Sequence, residues 1–387
     1  MNDLNLLKNF PKDKPFLEHK NAVLSAPVRH IFMIGVVWFL KNQFNCKSIK
    51  LLEIGSWFGA STLSWAQGLK EYYNSEGEIT CIDAWEPFFD LSQHSNEDYV
   101  KEMEELLSSD YAYNVFIHNM NTLPNGIITN HHRDKSTNIL PKLDSDSFDI
   151  IFIDADHTYE PVKKDIKESL RLVKDGGIIC GDDLNLQLHE IDSENAKKNK
   201  DKDFVKDPLS KKNFHPGVTL AVEELFGEVS SWGGFWGMQK KGDNWVKFSL
   251  KDMQVVYPEH FTKDHIQKAK DHIKERSGCL TGKRKEFQEN FIQLGFSIEN
   301  AYQIAKQAKS SNGVQIAETY QKCIKIAGEE IYWYRVRSDS LKLSKKIEEQ
   351  CLRHLSTARI HFFERGRLNK LLLQAPHFFL YLLQEVH

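Results

Sequence analysis

Residues 51–60, LLEIGSWFGA, decide the fold of this chain. An apolar run ends in an acidic residue and two glycines, Gly55 and Gly59, and residues 61–66, STLSWA, continue with helical character. This order is typical of a buried parallel strand, a tight turn and a helix start. The helix start offers unpaired N–H groups and the positive end of a helix dipole. Because glycines let the backbone approach a ligand closely, the stretch predicts a binding corner for an anionic or polar small molecule.

The composition narrows the class of protein. The chain has 387 residues, of which 41% are apolar, and a formal net charge of -3. A sizeable core can therefore form, and no basic excess points to a nucleic-acid partner. The six cysteines are scattered without a CxxC pair, which fits a reducing compartment. The N-terminus lacks a signal-peptide pattern, and the apolar run 31–40 is shorter than the ~20 residues that span a bilayer. We expect a cytoplasmic protein without a membrane partner.

Strand and helix patterns alternate along the chain to about residue 248. This alternation predicts an α/β fold with a doubly wound, mostly parallel sheet. The predicted strands are residues 49–54, 78–83, 126–131, 148–154 and 178–180, followed by a closing hairpin of residues 235–240 and 245–248. Ligands in such sheets bind at the carboxyl ends of the strands. Four aspartates fall at these ends: Asp83, Asp154, Asp182 and Asp183.

The chain divides into three predicted segments. Residues 1–27 form an irregular leader, residues 28–248 form the sheet domain, and residues 249–387 form an α-helical C-terminal domain in which glycine and β-branched residues thin out. We expect the apolar end of the last segment, residues 371–383, to dock on this protein or on a second copy, so the C-terminal helices are a candidate surface for a homo-oligomer. The polar residues 184–214 predict a long loop or a mobile lid. Amphipathic helices are predicted at residues 287–307, 315–326 and 341–362.

The glycine turn departs from the dinucleotide-binding pattern GxGxxG. Trp57 stands where that pattern has its middle glycine, the one that lets the backbone reach a pyrophosphate. A nicotinamide-dependent oxidoreductase is therefore disfavoured. Residues 53–59, EIGSWFG, instead resemble the first motif of the class I S-adenosylmethionine-dependent methyltransferases. A plain βα turn without a ligand is the alternative.

The resemblance implies a Rossmann-like methyltransferase domain over residues 28–248, with S-adenosyl-L-methionine as cofactor. Asp83 would accept hydrogen bonds from the ribose hydroxyls, and Trp85 would cover the adenine. As alternatives, Asp83 would only cap a turn, and Trp85 would only pack in the core. The implied cofactor-binding residues are Glu53, Gly55, Ser56, Trp57, Gly59, Ser61, Asp83, Ala84, Trp85, Asp134, Ser136 and Asp154.

Three carboxylates at adjacent strand ends suggest a cation. Asp154, Asp182 and Asp183 would repel one another unless a cation lay among them. Carboxylate oxygens suit Mg²⁺, and also Ca²⁺ or Mn²⁺. The alternative is turn and helix-cap chemistry, where Asp is common. The arrangement resembles the divalent-metal O-methyltransferases of the catechol, caffeoyl-CoA and macrolide-sugar types, and this resemblance implies that the three aspartates are metal ligands.

His157 is the candidate general base. In the catechol and caffeoyl-CoA enzymes a lysine three residues after the first metal ligand has this role, and His157 takes that position here. Histidine is a good base near neutral pH, although a surface turn residue is equally consistent with the sequence. Asp156 is the fallback base or a partner that orients His157. In residues 214–217, FHPG, His215 is a candidate substrate contact or part of a lid hinge.

These patterns predict a metal-assisted O-methyltransferase that acts on a hydroxyl group of a sugar or natural-product small molecule. One alternative is a metal-dependent glycosyltransferase that uses Asp154 and Asp156 on a nucleotide sugar, which leaves the glycine turn unexplained. Another is a non-catalytic scaffold with a partner-binding helical tail. In that scaffold the sheet domain would be vestigial, and the intact Glu53, Asp83, Asp154 and Asp182 argue against it.

Overall fold

The computed structural model describes residues 7–44, 46–87, 97–250 and 253–273. The chain forms two compact units, residues 1–271 and 272–387, and nearly all described residues lie in the first. The predicted C-terminal helices and the apolar segment 371–383 lie outside the described residues. The domain boundary at residue 248 and the homo-oligomer stay predictions.

A central eight-stranded sheet organises the described part of the chain. Its strands are β1 (Ile49–Ile54), β2 (Gly77–Asp83), β3 (Ile127–Arg133), β4 (Phe148–Ile153), β5 (Val173–Leu184), β8 (Ser230–Trp232), β9 (Gly234–Lys241) and β10 (Asn244–Val246). The strand order is β10-β9-β5-β4-β1-β2-β3, with β8 also paired to β9. The five strands from β3 to β5 in this order are parallel, and β9 is antiparallel to β5. The predicted doubly wound, mostly parallel sheet is confirmed.

Helices cover both faces of this sheet. The helices of the described residues are α1 (Pro27–Gln43), α2 (Ala60–Tyr73), α3 (Glu97–Ser108), α4 (Tyr111–Met120), α5 (Ser136–Ile139), α6 (Tyr159–Leu172), α7 (Ser193–Lys198), α8 (Pro216–Phe226) and a helix over residues 263–273. On one face Trp65 of α2 packs on Phe152 of β4, with ring centroids 5.5 Å apart. On the other face Ile151 and Ile153 share a core with Ile166 of α6. Because successive side chains of β4 enter opposite cores, its sequence is an unbroken apolar run.

None of the described helices combines the length and the apolar character needed to cross a lipid bilayer.

The polar segment 184–214 is more ordered than its composition predicts. It contains α7 and a small antiparallel sheet of β6 (Val205–Lys206) and β7 (Asn213–Phe214). The carboxylate of Asp192 caps α7 by accepting from two backbone N–H groups, and that of Asp207 accepts from three more. Phe214 is fully buried in a local core. The expectation of a long loop is wrong here, because buried polar caps and one aromatic anchor order a segment of low hydrophobicity. The mobile lid stays a prediction.

The predicted irregular leader lies across the glycine turn. The backbone N–H of Phe16 donates to Asn119 Oδ1 on α4 at 2.6 Å, and the indole N–H of Trp57 donates to the carbonyl of Asn21 at 2.8 Å. Phe16, Leu17 and Asn21 are all buried. The leader therefore forms part of the wall around the strand ends.

His30 on α1 is a fully buried titratable group on the side of α1 that faces α2. Its Nδ1 lies 2.8 Å from Ser64 Oγ, and its ring lies 5.1 Å from that of Phe261 and 6.2 Å from that of His260. Burial, followed by the charges of His265 and Arg29, lowers the pKa of His30 to about 3. Burial also holds the pKa of His260 well below its usual range.

We expect the folded chain to lose stability as the pH falls below the unfolded pKa of histidine, ~6.5. Below pH ~6.5 the histidine of the unfolded chain is protonated, whereas buried His30 of the folded chain stays neutral. The contribution of His30 to stability is therefore fully present above that pH and declines as the pH drops. For His30 alone the loss between pH 7 and pH 5 is about 2 kcal/mol. Urea unfolding at both pH values should show a smaller loss for His30→Gln than for the wild type. Equal losses would show that His30 titrates normally in the folded chain.

Candidate active site

The ends of β1 and β4 meet where the strand order reverses. The backbone N–H of Asp154 donates to the carbonyl of Ile54, and that of Gly55 donates to the carbonyl of Ile82, each at 2.8 Å. Gly55 has a φ of +87°, and a Cβ on it would lie 2.0 Å from the carbonyl oxygen of Asp154. Glycine is therefore required here by the approach of two strand ends. Ligands of doubly wound sheets bind in the crevice at this switch point.

Asp83 holds the glycine turn. Its Oδ2 accepts from the backbone N–H groups of Ser56 and Trp57, both at 2.9 Å, and its Oδ1 accepts from that of Trp85 at 2.8 Å. Trp57 occupies the left-handed region with a φ of 48°. Burial raises the pKa of Asp83 although the three N–H bonds oppose this. The structure thus brings together four predicted cofactor residues, Ser56, Trp57, Asp83 and Trp85. Ala84 follows Asp83 directly after the end of β2.

Glu53 supports the same turn from inside the protein. It is fully buried, and its Oε2 accepts from the hydroxyl of Ser56 at 2.9 Å and from that of Thr62. Burial raises the pKa of Glu53, and hydrogen bonds from Thr62, Ser61 and Ser56 oppose that shift. Glu53 and Ser61 therefore stabilise the turn and the start of α2 from below.

Two predicted cofactor contacts, Trp85 and Ser136, are engaged with protein partners. Trp85 is 1% exposed, packs on Phe116 with ring centroids 4.6 Å apart, and donates its indole N–H to the carbonyl of Trp57 at 2.7 Å. The hydroxyl of Ser136 donates to Asp165 Oδ1 on α6 at 2.6 Å. Burial raises the pKa of Asp165 to about 7. The Trp85 ring is thus interior packing, and Ser136 ties α5 to α6.

Gly59 and Asp134 lie at the rim of the turn. A Cβ on Gly59 would lie 2.8 Å from Met120 Cε, so this glycine admits α4. The backbone N–H of Asp134 donates to the carbonyl of Asp83 at 3.1 Å, and its carboxylate accepts from Lys135 N–H and Asn138 Nδ2, both at 2.7 Å. These contacts place the ends of β2 and β3 side by side.

The three predicted metal ligands form one cluster. Each of Asp154, Asp182 and Asp183 offers an oxygen, and these atoms lie within 4.8 Å of one another. Burial, together with the other two aspartates, holds the pKa of Asp154 well above its usual range. Arg29 Nη1 lies 2.7 Å from Asp182 Oδ1 and 2.8 Å from Asp183 Oδ1. The sequence predicted a cation among these carboxylates, and the structure places an arginine there.

His157 lies beside this cluster, between two carboxylates. Its Nε2 is 3.0 Å from Asp183 Oδ2, and its Nδ1 is 2.6 Å from Asp203 Oδ1. The ring of His215 lies 4.5 Å away, with its Nδ1 3.3 Å from Asp203 Oδ1. Burial alone would lower the pKa of His157, but Asp183 and Asp203 outweigh it and hold that pKa well above its usual value. The two histidines and two carboxylates form an imidazole–carboxylate group at the end of β4.

Asp156 has a local partner. Its Oδ1 accepts from both the backbone N–H and the hydroxyl of Thr158, the N-cap residue of α6, each at 2.6 Å. This is the turn and cap chemistry that the sequence left open for aspartates in this stretch.

Residues 52–184 match a family model described as a methyltransferase domain. This segment is a methyltransferase domain. It runs from β1 to the end of β5 and so contains the glycine turn, Asp83 and the three clustered aspartates. The match and the mostly parallel sheet together support a methyltransferase fold for residues 52–184.

Several solved structures are similar to this chain at low identity. A TDP-rhamnose 3'-O-methyltransferase of calicheamicin biosynthesis shares 14% identity, with 62% of this chain and 91% of that chain covered and a TM-score of 0.31. An O-methyltransferase from Bacillus cereus in complex with SAH shares 18% identity, with 61% and 84% covered and a TM-score of 0.30. The O-methyltransferase TomG from Streptomyces achromogenes, in complex with SAM, shares 18% identity, with 56% and 78% covered and a TM-score of 0.29. No curated protein matches the sequence.

Four side chains of the site lie outside the methyltransferase domain match, and one of them, His215, was predicted. Arg29 and Ser25 come from the N-terminal part of the chain and Asp203 from the polar segment 184–214, and none of these three was predicted. Arg29 is 154 residues from Asp183 in sequence, and Asp203 is 46 residues from His157. The one signal for Arg29 was a charged residue at the start of an otherwise apolar helix. Asp203 is one of many charges in its segment.

The methyltransferase domain has atoms that fit both predicted ligands. Asp83 Oδ1 accepts one N–H bond and keeps an acceptor position that a ribose hydroxyl can use. The oxygens of Asp154, Asp182 and Asp183 are hard ligands of the kind that Mg²⁺ and Ca²⁺ take. The cation site is shared with Arg29, whose guanidinium already contacts two of the three carboxylates.

Proposed function

We propose that this methyltransferase transfers the sulfonium methyl group of S-adenosyl-L-methionine to a hydroxyl oxygen of a small molecule. The observation that carries the proposal is the placement of His157 at the end of β4, fixed through Nδ1 by Asp203. In the step, His157 first releases to solvent the proton that Asp183 and Asp203 stabilise, and the neutral ring then takes the hydroxyl proton. The O–CH₃ bond forms as the S–CH₃ bond breaks, and S-adenosylhomocysteine leaves. Positioning of the two reactants supplies much of the rate, and proton transfer by a placed base adds ~10²–10⁴-fold.

Asp203 has the supporting part in this proposal. It holds one ring nitrogen of His157, so the ring orientation is set before an acceptor binds. Burial would raise the pKa of Asp203, but the hydrogen bonds from His157 and His215 hold it well below its usual range. Asp203 therefore stays ionised and stabilises the imidazolium that forms when His157 takes a proton.

A divalent cation such as Mg²⁺, or Ca²⁺ or Mn²⁺, would bind at Asp154, Asp182 and Asp183. When bound, it would act as a Lewis acid toward the acceptor oxygen. The support is the clustering of the three carboxylates at the carboxyl ends of neighbouring strands.

A sugar or natural-product hydroxyl is the proposed acceptor class. The resemblance to the metal-dependent O-methyltransferases supports this class. Phe204 supports a ring-shaped acceptor, because it is 48% exposed and its ring lies 4.7 Å from that of His215. The glycosyltransferase alternative is weakened, since Asp156, one of its two ligands, is bound to Thr158.

The proposal is tested by incubating the full chain and S-adenosylmethionine with a panel of nucleotide sugars, glycosides and phenols. Mass spectrometry should find an O-methylated product in at least one reaction, together with S-adenosylhomocysteine. Products methylated at nitrogen, or no product from any hydroxyl acceptor, would contradict the proposal.

For an accepted substrate, we expect a chelator to lower turnover by at least about tenfold, because the Lewis acid is removed. Adding Mg²⁺ back in excess of the chelator should restore the rate. Turnover that is the same with and without chelator would remove the cation from the proposed reaction.

A further inference from the structure

The guanidinium of Arg29 lies against two of the three clustered carboxylates. One atom, Nη1, donates to Asp183 Oδ1 at 2.8 Å and lies 2.7 Å from Asp182 Oδ1. Within the described part of the chain, Arg29 pairs with these two carboxylates and not with Asp154. The Arg29 side chain is 8% exposed. A cation that is supplied by the chain itself therefore faces the two adjacent aspartates.

The backbone around Arg29 is shaped to hold it there. Its Nε donates to the carbonyl of Gly233 at 2.9 Å. Gly234, at a φ of +97°, has no Cβ, and an added Cβ would lie 2.2 Å from Arg29 Nη2. Burial alone would lower the pKa of Arg29, but the charges of Asp182 and Asp183 outweigh it. The guanidinium thus has a dedicated position and stays charged.

The other oxygens of the pair also have donors from the chain. Asp182 Oδ2 accepts from the hydroxyl of Ser25 at 2.6 Å, and Asp183 Oδ2 faces His157 Nε2 at 3.0 Å. All four carboxylate oxygens of Asp182 and Asp183 are therefore engaged. An ion that binds these carboxylates must displace at least one donor, and it gives up an existing ion pair to do so.

We propose that Arg29 is the resident cation of the cluster and sets its affinity for divalent ions. The ion and Arg29 Nη1 compete for the same oxygens of Asp182 and Asp183, so a divalent ion binds the wild-type chain weakly. This inference rests on the proposed cation site. It assigns Arg29 a positioning role, since it keeps the paired carboxylates compensated and in place when no ion is bound.

The test is a calorimetric titration of the full chain with Mn²⁺, without S-adenosylmethionine and without acceptor. Arg29→Met removes the competing charge and keeps much of the side-chain volume. We expect it to bind Mn²⁺ at least about tenfold more tightly than the wild type, a difference of ~1.4 kcal/mol. Arg29→Lys keeps a cation and should bind within a few-fold of the wild type. Adding Asp154→Asn to Arg29→Met should abolish the gain, because the ion then loses the carboxylate that Arg29 does not contact.

Thermal unfolding covers the case in which Arg29→Met folds poorly. Because Mn²⁺ would replace the missing cation, it should raise the Tm of Arg29→Met, and of the more polar Arg29→Gln, more than that of the wild type. Equal Mn²⁺ affinity in Arg29→Met and the wild type overturns the inference. So does failure of both variants to fold with Mn²⁺ present. Failure of the O-methylation proposal is distinct, because it appears as missing product and leaves these binding results unchanged.

Discussion

Replacing His157 with glutamine is expected to lower kcat for methyl transfer by ~10²–10⁴-fold, the usual contribution of a placed general base. The affinity for S-adenosylmethionine should stay within a few-fold of the wild type, because the Gly55 turn and Asp83 are untouched. The reason is geometric. His157 is the imidazole that Asp203 and Asp183 fix next to the switch point of the sheet. Single-turnover kinetics with the identified acceptor measure the chemical step directly.

His132→Gln is a suitable control, since His132 lies on β3, away from the imidazole–carboxylate group, and should keep wild-type kcat. Asp203→Asn leaves the His157 ring in place but removes the carboxylate charge that faces its Nδ1. The kcat of this variant should fall between those of the wild type and His157→Gln. A His157→Gln enzyme with wild-type kcat would show that another group takes the proton.

Replacing Gly55 with alanine is expected to destabilise the fold by more than about 4 kcal/mol, in the range of severe core clashes. The added Cβ would lie 2.0 Å from the carbonyl oxygen of Asp154, at a φ of +87° that disfavours any side chain. Both β1 and β4 are central strands, so neither end can move away without breaking the sheet. Urea unfolding followed by tryptophan fluorescence measures the loss.

Gly242→Ala separates the steric clash from the backbone strain. Gly242 has a φ of +58°, and an added Cβ would meet nothing within 4 Å. It should therefore cost only the ~1–2 kcal/mol of a left-handed residue with a side chain. Similar losses for Gly55→Ala and Gly242→Ala would refute the close approach of the two strand ends.

The local pattern of the sequence was sufficient for the sheet and for much of the site. An apolar run that ends in Glu53 and Gly55 specifies a strand and a turn because neighbouring residues carry all the information. The same holds for the apolar runs before Asp154 and Asp182. Once these strands are parallel neighbours, their carboxyl ends lie along one edge, so the aspartate cluster could be predicted.

The partners of the cluster could not be predicted, because they depend on contacts between distant parts of the chain. Arg29 reaches Asp183 only after α1 has packed beside β9 and Gly234 has left space for it. Asp203 reaches His157 from a segment whose order comes from buried caps rather than from hydrophobic periodicity. The glycine turn shows a further limit. The sequence identifies Gly55 as a position of close approach, but the atom that approaches it belongs to Asp154 and not to a ligand.

We expect S-adenosylmethionine to bind over the turn that Asp83 holds, at the switch point of the sheet. Isothermal titration of S-adenosylmethionine tests it, with the wild type compared to Asp83→Ala and to Asp149→Ala. Asp149 is a matched control, since it also accepts a backbone N–H bond but lies at the amino end of β4, away from the carboxyl ends of the strands. We predict micromolar binding by the wild type and Asp149→Ala, and binding weaker by ~100-fold, or 2.7 kcal/mol, for Asp83→Ala. Equal affinity in all three folded proteins would contradict the placement of the cofactor.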